Sequence, residues 1–140
     1  MMSGAVSAGH PVTAQAAATI LKEGGNAFDA VLAGMAAACV CEPALCSLGG
    51  GGFLMAKPES GEPRILDFFA QTPLRHPDAR ARNFFPALCD FGAVQQEFHI
   101  GMASMATPGL ARGMFEANKL LGRMPLGKIL EPAIIFAKEG

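Results

Sequence analysis

Tryptophan and tyrosine are both absent from the 140 residues, which weakens any aromatic platform for stacked bases, although ten phenylalanines remain. Charge of one sign is lacking too: eleven basic and twelve acidic residues leave a formal −1, and no basic stripe appears. Nucleic acid is therefore not an expected partner. No apolar run is long enough for a bilayer, since the most apolar stretch, 27–40, is short and carries Asp29; no membrane partner is expected. Met1-Met2-Ser3-Gly4 opens without the basic residues and apolar run of a secretory signal, so the expected location is cytoplasmic. The three histidines, His10, His76 and His99, are widely spaced, and none stands four residues from another candidate metal ligand. Of four cysteines, Cys39, Cys41 and Cys46 are near one another and Cys89 is distant; a lone Cys-x-Cys lacks the paired spacing of a zinc site. Small reduced core thiols are the reading, with no metal and no cofactor implied. There is no Gly-x-Ser-x-Gly elbow, which removes the α/β-hydrolase reading, and there are no internal repeats.

What is present is a globular composition, 51% hydrophobic and 16% charged, enough for one domain with a core. Its sharpest local feature is Gly49-Gly50-Gly51-Gly52 before the strand-like Phe53-Leu54-Met55-Ala56. Residues without a Cβ can take left-handed angles or admit a close neighbour. A phosphate cradle needs a strand before the glycines and a helix after them. Here the order is reversed and no Lys-Ser or Lys-Thr pair follows, so the glycines read as a tight helix-to-strand turn.

Pro11 suits the first turn of a helix whose apolar face reads Ala14, Ala17, Ala18 and Leu21, ended by Gly24-Gly25. Asn26 caps a second helix, with Asp29 favourably near its N-terminus. Phe28, Val31, Leu32, Met35 and Cys39 mark one face of it, the remainder is Ala and Gly, and burial all round is expected before Pro43 ends it. Residues 53–56 and 64–69 predict a β-hairpin across a polar, proline-rich turn. No period emerges over 72–98, residues 102–106 read as a short strand, and a third helix carries Leu110, Met114, Ala117 and Leu121 up to Gly122. The apolar stretch 126–138 is interrupted by Pro132, taken as a new first turn. Two or three strands among four or five helices do not close a covered sheet, so a fragment of a larger protein is expected.

Chemistry is sparse. Glu42 reads as a partly buried carboxylate bonding nearby N–H groups, Asp67 needs a partner if buried, and His10 is a structural residue near a helix start. Resemblance adds a function. His10-Pro11, the run from Ile20-Leu21-Lys22-Glu23-Gly24-Gly25-Asn26 to Ala27-Phe28-Asp29-Ala30, Glu42-Pro43, the glycines with Phe53, and Leu66-Asp67-Phe68 resemble the start of γ-glutamyltranspeptidases. Ala106-Thr107-Pro108-Gly109, Leu130-Glu131-Pro132-Ala133-Ile134 and Ala137-Lys138-Glu139-Gly140 continue the likeness in order, over residues 4–140.

The resemblance implies an α/β (α+β) fold, part of the αββα sandwich of an N-terminal nucleophile hydrolase, with 1–140 the N-terminal part of the large subunit and no complete catalytic domain. In that family the precursor cuts itself, and a threonine at the new N-terminus attacks the γ-glutamyl amide. None of Thr13, Thr19, Thr72 or Thr107 matches it, so no catalytic residue is expected in this chain. The implied partners are the C-terminal small subunit and a small-molecule amide or γ-glutamyl substrate. The one implied substrate contact falls at Phe69, where the family's Asp-Phe-Arg-Glu pattern has an arginine that grips a carboxylate; here the run is Asp67-Phe68-Phe69-Ala70. A phenyl ring cannot make those charge-assisted bonds, which points to another amide, such as the acyl amides of cephalosporin acylases, or to another cation. A non-catalytic scaffold that keeps the fold is the rival reading.

Overall fold

The computed structural model describes residues 4–75, 78 and 83–140, and His76 lies outside them. The chain divides into two compact units, residues 1–69 with 108–140, and residues 70–107. In the first unit the order is α1 (Pro11–Lys22), α2 (Ala27–Cys41), β1 (Phe53–Ala56), β2 (Arg64–Asp67), α3 (Leu110–Leu121) and α4 (Leu126–Glu139).

The helix ends follow their local chemistry. The His10 imidazole Nδ1 accepts from Val12 N–H at 3.2 Å, and Pro11 follows in the first turn, where its missing donor is harmless. Gly24, at φ +96°, takes the left-handed conformation just beyond α1. At α2 the Asn26 side chain accepts from Phe28 and Asp29 N–H, while Asp29 reaches back to Asn26 N–H, a complete capping box. Two expected faces are corrected. In α1 the buried side is Thr13, Ala16, Ala17 and Ile20, one position round from the expected row, with only Ala17 shared. In α2 the small residues Ala30, Ala33, Gly34, Ala36 and Ala37 turn inward with Leu32, while Val31 is exposed and Phe28 and Met35 are half-buried. Both shifts have one cause. A Cβ built on Gly34 would stand 3.6 Å from Thr13 and 3.7 Å from Ala17, so the helices meet through their smallest side chains.

β1 and β2 pair antiparallel, Phe53 opposite Asp67 and Met55 opposite Ile65. Leu54 and Ala56 point into the core, which also holds Ile20, Leu32, Phe68, Leu110, Met114 and Ile129. Pro132 does not start a new helix. It sits inside a continuous α4 with its ring buried beside Ile129 and Ala133, and apolar packing there outweighs the one backbone donor it removes.

In the second unit β3 (Phe85–Asp90) pairs antiparallel with β4 (Gln95–Ile100), a hairpin within the span where no period was legible. The expected strand at 102–106 is instead a 3-10 turn, Met102–Ser104, entered through Gly101 at φ +107°. Only Thr107 pairs, with Gln71, through bonds of 2.7 and 2.9 Å.

Candidate functional site

The candidate position lies at the end of β2. Gly52 and Phe68 exchange both backbone bonds, at 3.1 and 3.3 Å, which extends the hairpin ladder by one pair. Alternation along an extended chain then sends Phe68 inward and Phe69 outward. Phe68 is 8% exposed and belongs to the core; Phe69 is 52% exposed. Asp67, exposed rather than buried, accepts from Phe69 N–H at 2.9 Å and so fixes the turn that carries Phe69. The Phe69 ring lies on Phe53, with centroids 5.5 Å apart and planes 13° from parallel. Phe53 is itself 63% exposed. With Met55 and Ile65 beside them, these rings form an apolar outer face on the hairpin.

The inward ring explains the glycines. A Cβ on Gly52 would come 3.2 Å from the Phe68 ring, and one on Gly113 of α3 would run into that ring outright. Gly109 lies as close to the Phe68 carbonyl. The Gly50 carbonyl accepts from Gly109 and Leu110 N–H, both at 3.0 Å, and so closes the N-terminus of α3. None of Gly49 to Gly52 has a positive φ, and close approach is what Gly50 and Gly52 permit.

A second polar cluster joins α1 to the end of α2. Thr13 Oγ1 donates to Glu42 Oε2 at 2.9 Å and lies 3.3 Å from Cys41 Sγ, which in turn donates to the Ala37 carbonyl. The Glu42 partner is thus a hydroxyl, not the N–H groups expected of it. A third centre was not legible beyond its cap. Asp29 is fully buried and accepts, besides Asn26 N–H, the amides of Arg123 at 3.1 Å and Met124 at 3.4 Å, tying α2 to the α3–α4 connection. The adjacent Asn26 amide donates to the Leu121 carbonyl at 2.7 Å. All four cysteines are free thiols, each half-buried. Burial, then the hydrogen bond and charge of neighbouring Cys46, push the Cys39 thiol up to about 12. Among the described residues no group of three His, Cys, Asp or Glu could hold a metal ion, and no helix is long and apolar enough to cross a membrane.

Among the described residues the hairpin end gathers Phe69, Phe53 and Asp67, none of them a cation or a nucleophile. Comparison with known proteins gives this arrangement its context. Residues 13–140 match the profile of the family described as gamma-glutamyltranspeptidase. The glutathione hydrolase proenzyme of Pseudomonas aeruginosa is 36% identical over 138 residues, covering 98% of this chain and 24% of that protein. The acylase ACY 1 proenzyme of a Pseudomonas species (strain V22) is 31% identical over 98% of this chain and 25% of its own length. In structure, the γ-glutamyltranspeptidase of Helicobacter pylori superposes with a TM-score of 0.77 at 31% identity, over 96% of this chain and 37% of that one. The chain thus spans about a quarter of the length of the curated relatives it matches. The chain has the fold of part of an N-terminal nucleophile hydrolase, and it belongs to the γ-glutamyltranspeptidase family.

Proposed function

We propose that these residues are the N-terminal part of the large subunit of an amide-cleaving acyltransferase or hydrolase, whose substrate is an amide with an apolar acyl group rather than a γ-glutamyl one. The nucleophile is a threonine of the small subunit, the partner of this chain, and the 140 residues alone are inactive. The threonine hydroxyl attacks the amide carbonyl, its own amine takes the proton, and backbone N–H groups hold the oxyanion. The leaving amine departs, and the acyl group passes to water or to an acceptor amine. The likeness to both a glutathione hydrolase and an acylase supports the reaction class and leaves the acyl group to be decided within the site.

The observation that carries the substrate reading is the exposed Phe69 ring stacked on Phe53, at the position where the family pattern has arginine. We assign it to the substrate wall. A ring held in this way offers an apolar surface and no donor to a carboxylate. Charge-assisted bonds contribute about 1.5–3 kcal/mol each, so their absence weakens γ-glutamyl binding by about tenfold or more. The four free thiols support a reducing compartment, and we place the protein in the cytoplasm.

Michaelis constants of the full-length protein and its Phe69→Arg variant on γ-glutamyl-p-nitroanilide test this reading. Weak wild-type binding with a gain of about tenfold in the variant is expected. Tight wild-type binding, or no gain in a folded variant, refutes the substrate assignment. Because Phe69 lies outside the core, the substitution leaves the packing of Phe68 intact.

A further inference from the structure

One side-chain pair has no part in that chemistry. Cys39, in the last turn of α2, and Cys46, just beyond it, bring their sulfurs to 3.5 Å. Backbone bonds set the approach: Leu45 and Cys46 N–H both donate to the Glu42 carbonyl, at 2.9 and 3.0 Å, so the chain turns back onto the helix end. Between Glu42 and Cys46 lie Pro43, Ala44 and Leu45, all exposed, with Leu45 at 85%. Forming a disulfide requires the sulfurs to close to about 2.05 Å, a movement of about 1.5 Å that an exposed three-residue turn can supply. Cys41 is engaged elsewhere, with Thr13 and the Ala37 carbonyl, and Cys89 is on β3. Cys39 also lines an apolar cavity of about 490 Å³ with Val40, Met114, Leu130 and Ile134.

We propose that Cys39 and Cys46 form an oxidisable dithiol, a modification site whose co-reactant is a low-molecular-weight disulfide. The Cys46 thiolate attacks one sulfur of that disulfide, forming a mixed disulfide and releasing one small thiol. Cys39 gives up its proton and attacks Cys46 Sγ, expelling the second small thiol and forming the Cys39–Cys46 bond. Two protein thiols are oxidised and one small disulfide is reduced to two thiols, so atoms and electrons balance. Burial, the largest cause of the raised Cys39 pKa, persists once Cys46 is capped, while the hydrogen bond to Cys46 and the Cys46 charge are removed, so Cys39 becomes easier to deprotonate for the second, slower attack. Closure pins the segment that feeds Gly49 and Gly50, whose carbonyl holds the start of α3.

The test uses the full-length protein, reduced and then exposed to oxidised glutathione, alkylated and digested with trypsin. Cleavage after Lys22 and Arg64, with Lys57 protected by Pro58, gives one peptide, 23–64, carrying Cys39, Cys41 and Cys46. The expected product is that peptide lighter by two hydrogens, without a glutathione adduct, and fragmentation places the bond between Cys39 and Cys46. The product persists in C41S and is lost in C39S and C46S. A stable glutathione adduct on Cys46, a bond through Cys41, or no oxidation under conditions that oxidise dithiothreitol overturns the proposal. Fragmentation of the wild-type peptide decides the matter even where a variant fails to fold.

Discussion

Replacing Asp29 with alanine removes the acceptor that joins the start of α2 to the α3–α4 connection. Its carboxylate is fully buried and accepts Asn26 N–H at 2.9 Å and Arg123 N–H at 3.1 Å, with Met124 N–H a longer third at 3.4 Å. Counting only the two shorter bonds, at about 1.5–3 kcal/mol each, and allowing for the desolvation that the deleted carboxylate no longer suffers, the loss is about 3 kcal/mol. Alanine leaves those amides without their acceptor in a site that is fully buried in the wild type. Amide hydrogen exchange of the full-length protein reads this locally, because α2 residues 30–37 exchange only when the helix opens from its neighbours. Asp29→Ala should lower their protection by about a hundredfold, since 1.4 kcal/mol is a factor of ten. Asp29→Asn keeps one acceptor oxygen but turns an NH₂ toward a donor, so an intermediate loss of about tenfold is expected. Protection within about threefold of wild type in Asp29→Ala would refute the reasoning.

Gly113→Ala puts a methyl into the Phe68 ring, and the resulting overpacking should destabilise the α3–hairpin contact by about 1–3 kcal/mol, read as faster exchange in β1 and β2; a neutral effect would show that the ring can move aside. With its thiol raised to about 12, Cys39 should be the slowest cysteine to react with iodoacetamide in the native protein at pH 8. Its rate should rise about tenfold per pH unit as the thiolate fraction grows, and a pH-independent rate would contradict the assignment.

Features written into neighbouring residues were legible in the sequence. Pro11 opens α1 and Gly24-Gly25 lie just beyond its end as read, Asn26 caps α2 as read with Asp29 completing a capping box, and the hairpin at 53–56 and 64–69 is present with its strand shortened to Asp67. Faces made of alanine were misread, because Ala14, Ala16, Ala17 and Ala18 carry nearly equal apolar signal and the packing partner decides among them. The same limit applies to α2, where burial all round was expected and close approach selected the small face, leaving Val31 exposed. β3 and β4 gave no alternation because most of their residues are exposed on both faces of this hairpin. The opposite orientation of Phe68 and Phe69 follows from strand period alone. The Phe53 partner does not: Asp67 is opposite Phe53, so Phe69 reaches it diagonally, which requires the register. Asp29 likewise declares its cap locally, while Arg123 and Met124 reach it only through the fold.

We propose that this chain is part of an enzyme that makes its own threonine nucleophile by cutting its backbone. The most direct measurement is intact-mass analysis with N-terminal sequencing of the purified full-length protein. Two subunits are expected, the larger containing residues 4–140 and the smaller beginning with threonine, with an uncut precursor when that threonine is replaced by alanine. A single uncut polypeptide in the wild type, or a small subunit beginning with a residue that carries no hydroxyl or thiol nucleophile, would contradict it.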